Sequence, residues 1–122
     1  MSLLRLVAAG LLLALALSSP SWATEPAGDW LGTLAVTPAL SLRIAVHIRK
    51  SPQGVYSATW DSVDQGVFDG SVANLMVTRE ALSFDIPSLN ARYAAKWDAG
   101  AGRWTGQWAQ VGKTFPLDLA PG

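Results

Sequence analysis

The side chains able to carry out chemistry are few in this sequence. His47 is the only histidine, and the chain has no cysteine. One histidine cannot form the usual multi-histidine zinc site, and without cysteine there is no thiolate nucleophile. His47 shares the outer face of an alternating segment with Arg43 and Arg49, far along that strand from the Asp-Gln-Gly turn at 64–66. The sequence therefore predicts an exposed surface histidine and no catalytic residue.

The densest polar segment spans residues 61–70 and contains three aspartates. An EF-hand needs acidic ligands at alternate positions and a glutamate at the twelfth, but here the third residue is Val63 and the twelfth is Val72. The spacing disfavours a calcium site. It favours a turn rich in Asp and Ser that closes one end of a sheet, with Gly66 and Gly70 at positive φ.

Motifs for phosphate, dinucleotide or acyl-transfer chemistry are missing from the sequence. It has no Gly-x-x-x-x-Gly-Lys, no Gly-x-Gly-x-x-Gly after a strand, no Gly-x-Ser-x-Gly and no Ser-x-x-Lys. Nine basic and nine acidic side chains are scattered along the chain, so no positive field is available for nucleic acid or anionic lipid. We expect no cofactor, no metal and no nucleic-acid partner.

The first 23 residues have the pattern of a secretory signal peptide. Arg5 precedes an apolar run at 6–17, and Ser21 and Ala23 are the small residues that signal peptidase reads. Such a run is shorter than the roughly 20 residues that a helix needs to cross a bilayer. We predict a signal peptide at 1–23, one domain at 24–122, a periplasmic or secreted product, and no stable membrane anchor after cleavage.

The rest of the chain alternates apolar and polar residues with a period of two. This pattern indicates half-buried strands, and no segment holds a helical stripe long enough for a crossover helix. We predict an all-β fold, a small antiparallel meander of about eight strands closing into a lipocalin-like β-barrel. The predicted strands lie at 29–37, 40–50, 54–61, 72–78, 81–87, 91–98, 102–110 and 113–119.

Large and small residues alternate on the predicted inner face. Four strands carry a large-x-small-x-large pattern: Trp30, Gly32, Leu34; Tyr56, Ala58, Trp60; Tyr93, Ala95, Trp97; and Trp104, Gly106, Trp108. The interior of an eight-stranded barrel is just wide enough to be filled by side chains or to hold one small ligand. The pattern leaves both possibilities open, and it predicts that the five tryptophans named here are largely buried.

Several of these motifs together resemble a known β domain. They are Gly-x-Trp-x-Gly-x-Leu at 28–34, Asp-Ser-Val-Asp-Gln-Gly at 61–66, Leu-Ser-Phe-Asp-Ile-Pro at 82–87, and Gly-x-Trp at 106–108. The chain is similar to N-terminal β domains of secreted bacterial serine hydrolases, of the α/β-hydrolase or β-lactamase-like type, with Val63 where those domains have proline. The resemblance implies an accessory domain whose catalytic partner is absent from this chain. A weaker likeness to lipocalins and avidins implies a shared barrel form.

Two functions follow from these predictions. The first is a non-catalytic periplasmic barrel that binds a small apolar ligand or a partner protein near residues 61–70, and the end of the chain at Gly122 favours it. The second is an accessory domain of a serine hydrolase. A barrel with a filled interior and a purely structural role is the remaining alternative. For ligand binding, the candidate residues are Tyr56, Trp60, Asp61, Asp64, Gln65, Tyr93 and Trp97.

Overall fold

The structure, a computed structural model, describes residues 25–122, and the predicted signal peptide lies outside the described residues. Nine strands account for most of this part of the chain. They are β1 (Gly28–Thr37), β2 (Leu40–Lys50), β3 (Tyr56–Ser62), β4 (Val67–Ser71), β5 (Ala73–Val77), β6 (Ala81–Ile86), β7 (Ala91–Asp98), β8 (Arg103–Gln110) and β9 (Lys113–Pro121). Short 3-10 turns at Val63–Gln65 and Pro87–Leu89 interrupt the meander.

The strands form one antiparallel sheet that bends into a nearly closed barrel. Their order is β4-β3-β2-β1-β9-β8-β7-β6-β5. Strands that are consecutive in the chain are therefore neighbours in the sheet, except for β4 and β5, which are its two edges, and the first and last strands, β1 and β9, pair with each other. The edge strands β4 and β5 are separated in sequence only by Val72, and β5 also contacts β3. The predicted all-β antiparallel barrel is confirmed, and each of the eight predicted strands has a counterpart.

Strand β4 is the element that the sequence did not predict. The segment 61–70, expected to be a turn throughout, contains the end of β3, a 3-10 turn and most of β4. Gly66 has a positive φ as predicted, but Gly70 does not, and Asp69 adopts φ 54° instead. Gly70 pairs with Trp60 across the sheet, and a Cβ at Gly70 would lie within 2.8 Å of three atoms of the indole. Glycine is therefore needed at position 70 because the Trp60 indole occupies the space of a side chain, and not because the backbone forms a turn there.

The inner face of the barrel is a continuous apolar core. Trp30, Trp60, Trp104 and Trp108 are buried as predicted, whereas Trp97 is only partly buried. At mid-barrel the Tyr93 side chain of β7 reaches over β8 to β9, where its hydroxyl donates a 2.8 Å hydrogen bond to the Leu117 carbonyl. A Cβ at Gly106 would lie 2.7 Å from that hydroxyl, so the small residue of β8 makes room for the side chain of the neighbouring strand. The middle of the barrel is therefore filled.

The capped end of the barrel is the end covered by residues 25–27. Three indoles meet there edge to face: Trp30 lies 5.6 Å from Trp97 and 6.0 Å from Trp104, and the last two are 5.3 Å apart. The Trp30 Nε1 donates a 2.9 Å hydrogen bond to the carbonyl of the buried Pro26. Glu25 accepts a 2.6 Å hydrogen bond from the Tyr56 hydroxyl, which holds the covering segment in place.

Candidate functional site

At the opposite end of the barrel, the inner side chains leave an apolar depression of about 240 Å³, here called the mouth recess. It opens where β1 ends and β2 begins, and the two 3-10 turns and the β8–β9 hairpin complete its wall. The lining residues are Leu34, Val36, Leu40, Leu42, Ile44, Trp60, Gln65, Leu89, Trp108, Gln110 and Phe115. Nine of these eleven side chains are apolar, and none is a histidine, an acid or an alcohol.

Two tryptophans from distant strands form a pair beside the mouth recess. Trp60 of β3 and Trp108 of β8 pack edge to face with ring centroids 6.0 Å apart, and they are 3% and 2% exposed. The Trp108 Nε1 donates to the Gln110 side-chain oxygen at 3.0 Å. Within residues 25–122 the Trp60 Nε1 has no hydrogen-bond partner, and it lies against Gly70. The indoles give the recess a rigid aromatic wall.

The polar groups of the mouth recess are two glutamines. Gln65 accepts a 2.7 Å hydrogen bond from the Ser62 hydroxyl through its amide oxygen, and Gln110 accepts from Trp108 in the same way. No residue of the described chain accepts a hydrogen bond from either amide nitrogen. A second groove of about 400 Å³ shares Val36, Gln110 and Phe115 with the recess and is also lined by Lys113.

The structure brings only part of the predicted binding set to this recess. Trp60 and Gln65 line it. Tyr93 lies in the filled middle of the barrel, where burial raises the pKa of its phenol. Tyr56 and Trp97 belong to the capped end. The aromatic residues of the predicted set therefore do not form a single site.

The two predicted carboxylates have protein partners on the outer surface. Asp64 accepts hydrogen bonds from the backbone amide of Arg43 and from its guanidinium, both at 2.8 Å. The guanidinium and then the amide hold the pKa of Asp64 below its usual value. Asp61 points outward and bonds to His47. Neither carboxylate lines the mouth recess.

His47 lies on the outer face of its strand as predicted, but it is less exposed than predicted. Its side chain is 26% exposed and lies between two carboxylates, with Nδ1 2.7 Å from Asp29 and Nε2 2.7 Å from Asp61. The physical reason is the register of the first three strands. Asp29 is directly opposite His47 on β1, and Asp61 is diagonal to it on β3, so the three side chains meet on the outer face.

The Asp29–His47–Asp61 bridge favours the charged form of the imidazole. The hydrogen bonds to Asp61 and then to Asp29 raise the pKa of His47, since both partners favour the imidazolium. Burial raises the pKa of Asp61, but the hydrogen bonds from His47 and from the Asp69 amide together lower it by more. The net shift of the Asp61 pKa is therefore downward. Because both ring nitrogens are occupied, neither is free to take a proton from a substrate. Across residues 25–122 no cluster of three or more histidine or acidic ligands is placed to bind a metal.

Trp108, Leu89 and Gln110 were not predicted from sequence as neighbours of Trp60. Trp108 was placed on the inner face, but its contact with Trp60 crosses the barrel between strands that are not adjacent in the sheet. Leu89 and Gln110 lie in a 3-10 turn and at a strand end, where the period-two pattern carries no signal. The partner Asp29 of His47 could have been predicted from sequence, because the short hairpin between β1 and β2 determines which of their residues are opposite.

Comparison of the chain with protein-family models, with curated proteins and with solved structures gives no match. The resemblance to hydrolase-associated β domains and to lipocalins therefore stays a prediction from the sequence. In the part of the chain that the structure describes, no helix is long and apolar enough to span a membrane.

Proposed function

We propose that this chain is a non-catalytic, exported β-barrel that binds a small apolar molecule in the mouth recess. The observation that carries the proposal is the contrast between a filled interior and one concave apolar recess beside Trp60 and Trp108. Small-molecule sites are typically concave and apolar, with a few polar groups that orient the ligand. The mouth recess has this composition, with two glutamines as its polar groups.

The size and the side chains of the recess limit the kinds of ligand that it can bind. Its volume of about 240 Å³ is smaller than the pockets of drug-sized ligands, which favours a small molecule over a lipid with several chains. The lining side chains offer no nucleophile and no general base. His47, the one residue of the chain with an ordinary pKa near neutrality, is held by two aspartates on the outer face. These features support binding without catalysis.

A titration of the mature protein with 1-octanol, followed by tryptophan fluorescence, tests the proposal. We expect a saturable change in emission, because Trp60 and Trp108 border the recess. Val36→Phe should weaken the affinity about tenfold, since added ring volume in a formed recess costs on the order of 1–3 kcal/mol. Ala35→Phe, on the exposed face of the same strand, is the matched control and should bind octanol like the wild type. No saturable response in the wild type would refute the proposal.

Export to the periplasm is the second part of the proposal, and it rests on the sequence of residues 1–23. Mass spectrometry of the periplasmic fraction should find a mature species that begins at Thr24. A full-length species retained in the membrane would contradict it.

A further inference from the structure

The two polar side chains of the mouth recess are both amides. Gln65 and Gln110 use their amide oxygens within the protein, to Ser62 and Trp108, and each amide nitrogen keeps two N–H groups that no residue of 25–122 accepts. The adjoining groove adds the ammonium of Lys113. The rim therefore offers four amide N–H groups and one ammonium, and no carboxylate lines the recess or the groove.

We propose that the ligand of the mouth recess is a small monocarboxylate, with its apolar body against Trp60 and Trp108 and its carboxylate at Gln110, Gln65 and Lys113. This inference rests on the proposed function and specifies the ligand class of the same site. A carboxylate only accepts hydrogen bonds, which is what two amide nitrogens and an ammonium require. An ammonium ligand has no acceptor and would leave these donors unpaired, and a hydroxyl accepts hydrogen bonds without the charge of a carboxylate.

The charges around the rim favour the same head group. Lys113 forms no ion pair within residues 25–122, so its charge is available at the groove. Asp64, next to Gln65 in the chain, is paired with the guanidinium of Arg43 at 2.8 Å, and Asp85, which shares a surface groove with Gln110, is paired with Arg92 at 2.8 Å. No acidic side chain lines the recess or the groove. Lys113 is the one charged residue among those that line the recess and the groove.

A series of three ligands with the same apolar chain separates the head group from the body. Octanoate, 1-octanol and octylamine are titrated at pH 7, where the first is an anion and the last a cation. Octanoate should bind about tenfold more tightly than octanol, because hydrogen bonds to its carboxylate are charge-assisted and part of this gain is offset by desolvation. Octylamine should bind most weakly of the three.

Two variants assign the head group to the named residues. Gln110→Glu keeps an acceptor for the Trp108 Nε1 but replaces the amide donor by a carboxylate, so octanoate affinity should fall about tenfold while octanol affinity holds. Lys113→Glu should weaken octanoate about fivefold, as expected for a solvated charge pair that becomes repulsive. Lys96→Glu, on the outer face of β7 away from the mouth, makes the same charge change and should leave all three affinities unchanged.

The outcomes separate this inference from the function on which it rests. If octanol binds in the recess but octanoate binds no more tightly, and both rim variants behave like the wild type, the carboxylate assignment is overturned and apolar binding stands. If none of the three ligands binds, the proposed function fails and the assignment fails with it. A preference for octanoate that Lys113→Glu and Lys96→Glu reduce equally would show a general charge effect and would also overturn the assignment.

Discussion

The two ends of the barrel are built from the same kind of residue and have different surroundings. At the capped end Trp30, Trp97 and Trp104 pack edge to face under residues 25–27. At the other end Trp60 and Trp108 form a similar edge-to-face pair, but no segment of the described chain covers the recess beside it. Each end also has one buried indole nitrogen without a partner in residues 25–122, at Trp104 and at Trp60. The difference between the ends is therefore the cover, not the aromatic packing.

This comparison shows why an inward-facing tryptophan is weak evidence for a binding site. All five inner tryptophans satisfy the same period-two pattern, and in a small barrel most such residues fill the core. What distinguishes Trp60 and Trp108 is the space left by Leu34, Leu42 and Phe115 at the strand ends. A second distinguishing feature of the rim is the pair of side-chain amides of Gln65 and Gln110, whose nitrogens donate to no residue of 25–122.

The largest expected effect comes from removing packing at the capped end. Trp104→Ala should lower the free energy of unfolding by about 3–5 kcal/mol, because Trp104 is fully buried between two other indoles. That is a large share of the about 5–15 kcal/mol typical of a domain. Urea denaturation measures the loss, and octanol affinity of the folded fraction should be unchanged. A loss below about 1 kcal/mol would show that the capped end tolerates a cavity, which would contradict its description as the tightly packed end of the barrel.

Gly70→Ala tests whether the position of the Trp60 side chain matters for the recess, because Gly70 packs against the Trp60 indole. The new methyl group would lie against the Trp60 indole, so the free energy of unfolding should fall by about 1–3 kcal/mol as the side chain is displaced. Octanol affinity should change in the same variant, because Trp60 lines the recess. Gly100→Ala is the control, since its Cβ would meet only Asp98 at an ordinary 3.5 Å. Equal effects of the two alanines on binding would contradict the role of Trp60.

The strands were predictable from sequence because their alternation is regular and their connections are short. Strand β4 was not, because the sequence from Asp61 to Gly70 is polar and rich in turn formers, and the β3–β4 register is irregular. Its pairing depends on the close fit of Gly70 to Trp60, which is a tertiary contact. Local sequence patterns do not encode such contacts.

The candidate site was predictable in part for the same reason. Trp60 and Gln65 were identified near the acidic segment, while Trp108 reaches Trp60 only through the curvature of the closed sheet. The His47 bridge could have been found, since the predicted β1–β2 hairpin places Asp29 opposite His47 to within one residue. Strand phase indicates which side chains face inward, but barrel closure decides which of them meet.

The His47 bridge connects a strand that carries a tryptophan of the capped end with one that carries a tryptophan of the mouth recess, since Asp29 precedes Trp30 and Asp61 follows Trp60. Its two hydrogen bonds raise the pKa of His47 above 6.5 in the folded protein. The stabilisation is therefore complete below about pH 6.5 and is lost as the pH rises through the folded pKa. His47→Gln should lower the Tm by about 5 °C at pH 6, as about 1 kcal/mol implies for a domain of this size, and by much less at pH 9.

Arg49→Gln is the matched control for this pH dependence. Arg49 donates to the same Asp29 at 2.8 Å but keeps its charge throughout this range, so the difference in Tm from the wild type should be the same at pH 6 and pH 9. A difference for His47→Gln that grows with pH would show that the bridge holds a neutral imidazole. Thermal unfolding followed by circular dichroism measures both variants.

The smallest expected effect concerns the cover of the capped end. Tyr56→Phe removes the 2.6 Å hydrogen bond from the phenol to Glu25, and because both groups are accessible to water we expect the Tm to fall by only about 2 °C. Tyr93→Phe deletes the same atom in the filled middle, where it leaves the Leu117 carbonyl without that donor, and should cost about 1–3 kcal/mol. Acrylamide quenching should increase in Tyr56→Phe, since the segment that carries Pro26 is less firmly held over Trp30. If Tyr56→Phe left quenching unchanged, residues 25–27 would be held by Pro26 itself, and the cover would depend on apolar contact rather than on the phenol.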